Sequence, residues 1–272
     1  VYAIYTFLRV FPRRWWLVLG LGSIPFLIVF IFVMPIWIEP LYNDFRPMQD
    51  EAFEAEILAL ADRAGIENSR VFVVEKSEDT KTVNAYVTGF GDTKRIVMWD
   101  TLLERLNEDQ ALFVLGHEMG HFVLGHIYLR IVFLSSLLIV TLYLVHRASK
   151  GLINRFKGRF GFDRLDDVAS FPLIVLLMNA FFLVAMPLVL GFARYQEREA
   201  DRFGLELTRL NYEASTGFLE LMDTNLLIPR PGPLFTLWRG THPSMGARID
   251  FFNAYRPWET GETLQYERYF QH

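Results

Sequence analysis

Residues 109 to 146, DQALFVLGHEMGHFVLGHIYLRIVFLSSLLIVTLYLVH, decide the fold, because a run without proline changes character halfway along. The first half carries His117, Glu118, His121 and His126, and the stretch from Ile131 to Val145 is uncharged and aliphatic. This pattern predicts one helix that starts in water and ends in lipid, where every backbone group must find its partner within the helix. Asn107 with Gln110 supplies a capping-box start for it, and Thr101 with Glu104 supplies another for a short helix just before.

Two more apolar stretches flank this one. Residues 15 to 38 hold no charge over 24 positions, which at about 1.5 Å each gives roughly 36 Å, enough for a bilayer. Trp15, Trp16 and Trp37 stand at its ends, where the two interfaces would lie. Val168 to Ala193 is uncharged over 26 residues and carries Pro172 and Pro187. At least three transmembrane helices are therefore expected. The whole chain of 272 residues agrees, since a mean hydropathy of +0.21 with 25 Phe and 6 Trp is too apolar for an ordinary soluble enzyme. It begins at Val1 in an apolar segment and reads as N-terminally truncated.

Charge and cysteine content narrow the function. Lys and Arg number 27 against 31 Asp and Glu, a net −4 with no basic stripe, so nucleic acid is not expected as a partner. There is no cysteine, so disulfides, thiolate ligands and cysteine nucleophiles are excluded. Any metal must be held by nitrogen and oxygen. No Walker A loop and no G-x-S-x-G elbow occurs.

Between the first two apolar stretches the composition is that of a soluble domain. Asp50 precedes EAFEAEILALADRA, whose Phe53, Ile57, Leu60 and Ala64 follow helical spacing, with Gly65 as the terminating residue. Strands are expected at 71–74, 83–88 and 96–99, together a small sheet. Beyond residue 193 the segment RYQEREADRFGLELTRL keeps helical periodicity. A helix near 212–225, a proline-rich loop (Pro229, Pro231, Pro233) and a short helix after His242-Pro243 complete the chain. The expected division is 1–38, an N-terminal segment and first span; 39–126, a catalytic subdomain; 127–193, two spans joined by a basic loop; and 194–272, the C-terminal catalytic helices.

His117-Glu118-Met119-Gly120-His121 is an H-E-x-x-H pattern. On a helix, residues four apart stand about 40° apart around the axis and about 6 Å along it, so both imidazoles can reach one ion. Glu118, about 100° away, can act on a water held there without ligating the ion. Catalytic zinc needs a third protein ligand, and Glu197 on the helix leaving the third apolar stretch is the best donor. Asp201, one turn later, can accept the other ring N–H of a zinc-bound histidine. Glu199 is the competing ligand, about 200° around the helix from Glu197. His126, nine residues from His117, is expected on the opposite face in a structural or interfacial role. Arg130 is expected to snorkel or to line a water-filled chamber.

These residues resemble the type I CAAX prenyl proteases, integral-membrane zinc endopeptidases of the gluzincin type. The likeness runs through 38–43 (IEPLYN), 84–90 (NAYVTGF), 94–97 with 100–103, 115–121 with 124–126, 194–201, and Thr241-His242-Pro243 with Arg248. It implies a mostly α integral membrane protein with a zincin-like catalytic domain around a small sheet. It also implies that Zn2+ is bound by His117, His121 and Glu197, that Glu118 is base and proton shuttle, that Asn84 and Ala85 on an edge strand pair with the substrate backbone, and that His242 contacts the substrate carbonyl region. Peptide or protein substrates and the lipid bilayer are the implied partners. Full-length eukaryotic members have seven spans against three expected here, which fits truncation or a shorter bacterial relative in the cell membrane, and with no dilysine retrieval signal at the end prenylated substrates are not assumed. Two other readings remain: a stress-type membrane quality-control protease sharing the zinc site, and a catalytically silent scaffold or metal-transport module. Sidedness is in conflict. Arg13, Arg14 and the six basic residues of 147–167 lie opposite the catalytic segments, so the positive-inside rule points those segments away from the cytoplasm, whereas the resemblance implies the cytoplasmic side.

Overall fold

The computed structural model describes residues 2–33, 38, 41–224 and 227–271. In chain order the elements are α1 (Tyr2–Val10), α2 (Trp15–Val33), β1 (Phe45–Pro47), α3 (Glu51–Arg63), β2 (Arg70–Val74), β3 (Ala85–Thr88), β4 (Arg95–Trp99), α4 (Asp100–Arg105), α5 (Glu108–Val123), α6 (His126–Arg155), α7 (Phe171–Thr208), α8 (Asn211–Thr224), α9 (Pro233–Arg239), α10 (Met245–Ala254) and α11 (Pro257–Thr260). They form two compact units, residues 1–31 with 128–189 and residues 32–127 with 190–272.

The first unit is helical. Its interior is made by Tyr5, Leu8, Trp15, Leu142, Val145 and Leu177, and the Trp15 Nε1–H donates to His146 Nδ1 at 3.1 Å. Many of its apolar side chains face outward instead: Val132 is 65% exposed and Val184 73%. Among the described residues two helices, α6 and the one running through α7, are long and apolar enough to cross a membrane. Two of the three expected spans meet that test. The apolar part of α2 is the shorter stretch Trp15–Ile31, and residues 34–37 of the expected first span lie outside the described residues.

The second unit holds the sheet, in strand order β1-β2-β4-β3. β2 and β4 pair in parallel, and the outer strands are antiparallel to them, with Ala85 opposite Met98 and Phe45 opposite Val74. Ile96, Val97 and Met98 of β4 are fully buried, as an unbroken apolar run in a central strand requires. β1 is absent from the sequence expectation, because a three-residue strand ending in Pro47 has no room for a period-2 pattern. The Asp50 carboxylate accepts from the Ala52 and Phe53 N–H groups to start α3, and Gly65 follows its end at φ 75°. The cap assigned to Thr101 is corrected: its hydroxyl is buried and donates to the Thr82 carbonyl, and Asp100 instead accepts from the N–H groups of Thr101, Lys76 and Ser77.

The largest departure lies in the decisive run. Instead of one helix there are two, because α5 ends at Val123 and Gly125 adopts φ 65°, the left-handed conformation that closes a helix. The basic segment is also less loop-like than expected, since α6 continues to Arg155. α7, by contrast, is unbroken for 38 residues despite Pro187, so the apolar stretch and the acidic segment after it are one rod. Within the proline-rich stretch the structure has α9, started by Pro233 at its first turn. α10 is held against α8 by the Asn211 side-chain amide, which donates to the carbonyls of Phe252 and Tyr255, and by the edge-to-face rings of Phe113, Phe218 and Phe252.

Candidate metal centre

α5 and α7 approach until their backbones touch. A Cβ added at Gly120 would lie 3.0 Å from Phe203 Cβ and 3.2 Å from Ala200 Cα, and one at Gly204 would lie 3.0 Å from the His117 nitrogen. Glycine at 116, 120 and 204 therefore sets a spacing that any side chain would widen. Across this contact the H-E-x-x-H turn of α5 faces Glu197.

The consequence is a tight cluster. His117 Nε2 and His121 Nε2 lie 3.2 Å apart. Glu197 Oε1 is 3.4 Å from His121 Nε2, and Glu197 Oε2 is 3.6 Å from His117 Nε2. One ligand atom from each of the three residues lies within 4.8 Å of the others. Among the described residues Glu197 Oε2 is buried with no hydrogen-bond partner. A buried carboxylate oxygen of that kind is costly unless a cation meets it. Two imidazole nitrogens and a carboxylate aimed at one point fit a divalent metal of borderline softness.

His117 is oriented from behind by Asp201, whose Oδ1 lies 2.9 Å from its Nδ1. Burial opposes a charge on His117, but the Asp201 carboxylate outweighs it and the imidazole pKa is raised. Asp201 is itself clamped by Arg248, whose Nε–H donates to Oδ2 at 2.9 Å and whose Nη2–H donates to Oδ1 at 2.5 Å. The Arg248 guanidinium stacks 4.2 Å above the Phe218 ring, and its residue is 5% exposed. Sequence reasoning gave Arg248 no role. The available signal was an arginine on the apolar helix α10, since an arginine buried there requires a carboxylate.

Glu118 sits at the edge of the cluster, its Oε1 3.9 Å from His117 Nε2. Burial raises its carboxyl pKa, which suits a proton acceptor that must also donate. A cavity of about 620 Å³ opens in front, lined among others by Asn84, Ala85, Glu118, Glu197 and His242. His242 is half-exposed, with Nε2 3.4 Å from Glu197 Oε2 and Nδ1 2.8 Å from the Thr241 hydroxyl. Burial in the cavity wall lowers its pKa. The loop carrying it is fastened to α7 by the Arg194 Nη1–H, which donates to the carbonyls of Thr236 and Gly240. β3 is an edge strand, and the Asn84 carbonyl already accepts from the Trp99 N–H. Backbone direction alternates along an antiparallel ladder, so the N–H and C=O of Ala85 turn to the open edge, while Asn84 offers its exposed side chain.

Two expectations are corrected. His126 is not on the opposite face: the turn at Gly125 brings its Nδ1 within 2.8 Å of His121 Nδ1. Glu199 does not compete for the cluster. It accepts from the Tyr266 hydroxyl at 3.1 Å, and its Oε2 is 3.6 Å from His126 Nε2. Arg130 is exposed.

A helical protein in which two touching helices share a donor set of two histidines and one glutamate is the class this fold and site define. The chain belongs to Peptidase family M48, whose model matches residues 47–255. It is similar to the uncharacterized metalloprotease YhfN of Bacillus subtilis, 38% identical over 92% of this chain and 58% of that protein. It is similar also to the CAAX prenyl protease 1 homolog of Dictyostelium discoideum, 32% identical over 87% of this chain and 55% of that one. The chain thus spans somewhat more than half the length of these relatives. Its fold is that of the crystal structure of S. mikatae Ste24p, with a TM-score of 0.79 at 24% identity, covering 93% of this chain and 62% of that one.

Proposed function

We propose that this chain acts as a membrane-embedded zinc metalloendopeptidase that cleaves membrane-associated or hydrophobic protein segments. The observation that carries it is the convergence of His117, His121 and Glu197 within 4.8 Å, with Glu118 beside them and not among them. Zinc is the favoured ion because two imidazoles and one carboxylate, with room for a fourth ligand, are its catalytic donor set. When bound, zinc supplies Lewis acidity that lowers the pKa of water and polarises a peptide carbonyl.

The residues of the chain do the rest. Ala85 presents its backbone N–H and C=O to an extended peptide, as an added strand requires, and the Asn84 side chain reaches the same peptide. Glu118 accepts a proton from the attacking water and delivers it to the leaving amine nitrogen. His242, whose neutral form burial favours, donates a hydrogen bond to the oxygen on which charge develops. Leu227, Ile228 and Phe235 form an apolar wall to the cavity, which favours substrates with apolar flanks. The exposed apolar surfaces of α6 and α7 favour a lipid bilayer as their surroundings, here the bacterial cell membrane.

Glu118→Gln tests the mechanism. The variant is expected to keep zinc and lose about 10² to 10⁴ of kcat, read by metal analysis and by cleavage of a prenylated C-terminal peptide and of an unfolded membrane protein in parallel. Wild-type turnover in that variant would overturn the reading, and the better cleaved of the two substrates identifies the substrate class.

A further inference from the structure

His121 has two ring nitrogens, and only Nε2 faces the cluster. The other, Nδ1, lies 2.8 Å from Nδ1 of His126, with the two rings at 73°. At that distance one nitrogen donates and the other accepts, so one proton sits between them. A neutral His121 can offer an Nε2 lone pair to a metal only if that proton is its own. His126 must then accept at Nδ1 and carry its proton at Nε2, which lies 3.6 Å from Glu199 Oε2. The negative charge of Glu199 favours that tautomer of His126 over the reverse.

The pair is built firmly. His126 is 2% exposed, and its carbonyl accepts from the buried Gln196 side-chain amide at 3.0 Å. Glu199 accepts from the Tyr266 hydroxyl at 3.1 Å. All of this depends on the left-handed Gly125, without which His126 would continue around the helix away from His121. We infer that Glu199 and His126 are positioning residues for His121, a carboxylate–imidazole relay that fixes its metal-binding tautomer as Asp201 fixes that of His117. The inference rests on the metal-centre reading proposed above. The centre then has two outer supports of different length: one carboxylate directly on His117, and one acting on His121 through a second ring.

The test uses the purified full chain in detergent, with zinc affinity from chelator competition, the visible absorption of the cobalt(II)-loaded protein, and a thermal melt to establish folding. His126→Phe fills the same space with no acceptor and is expected to lose about 10- to 100-fold in zinc affinity and to change the cobalt spectrum. His126→Asn keeps an acceptor at the position of Nδ1 and is expected to restore most of both. Glu199→Gln, a smaller change that keeps the His126 ring, is expected to weaken zinc by a few-fold, below the roughly 10- to 100-fold loss typical of removing a partner that touches the ligand itself. A folded His126→Phe with wild-type affinity and an unchanged cobalt spectrum overturns the relay. Should that variant fail to fold, wild-type affinity in Glu199→Gln does the same. Failure of the wild-type chain itself to bind zinc overturns the metal-centre reading, a different result from a wild type that binds while every relay variant binds equally well.

Discussion

α7 and the α5–α6 pair begin from the same kind of sequence, an apolar stretch joined to a segment rich in His, Glu and Asp with no apparent interruption, yet one is a single rod and the other is broken. α7 even contains Pro187 and stays whole, whereas α5 and α6 are parted by one glycine at φ 65°. The difference teaches that an apolar pattern reports which face is buried and not whether the axis is continuous. The break also has a use. It returns His126 to His121, whereas continuity in α7 carries Glu197, Asp201 and Glu199 at fixed helical offsets.

The largest effect is expected from removing what the unbroken rod supplies. Glu197→Ala leaves two imidazoles, too few for a catalytic zinc, and metal analysis of the purified variant should find the zinc lost. Next comes the clamp on the same rod. Arg248→Ala leaves Asp201 buried without its cation, a change that typically costs about 3 to 5 kcal/mol, so a clearly lower melting temperature in detergent is expected. A wild-type melt would mean that Arg248 adds nothing to the rigidity of Asp201.

The broken pair gives a smaller effect. Gly125→Ala puts a Cβ into the left-handed region at a cost of about 1 to 2 kcal/mol, with weaker zinc binding alongside as His126 shifts. Gly191→Ala in α7 is the contrast. Its Cβ would meet only the Arg194 side chain at 3.8 Å, and the helix should gain about 0.5 to 1 kcal/mol. Equal melting shifts in the two glycine variants would remove the distinction between the two regions.

Much of this was legible in the sequence. The His117 and His121 spacing, the start of α3 at Asp50, the Asn107–Gln110 capping box and strands β2, β3 and β4 all follow from residues a few positions apart. What stayed hidden has two causes. Short elements such as β1 and α9 offer too few residues for any period to register. The roles of Arg248, His126 and Glu199 depend on partners brought together by packing: Arg248 is 47 residues from Asp201, and Glu199 is 73 positions after His126 (199 − 126).

By itself, the sequence determined the inventory: nitrogen and oxygen donors with no thiolate, two imidazoles on one helical face, and helices whose apolar length suits lipid. Only the tertiary structure decided that these donors meet, because helical periodicity fixes angles about one axis and says nothing of the distance between two. That distance is set where Gly116, Gly120 and Gly204 let the backbones of α5 and α7 close to contact, and the orientation of each imidazole is set by which carboxylate the packing leaves behind it.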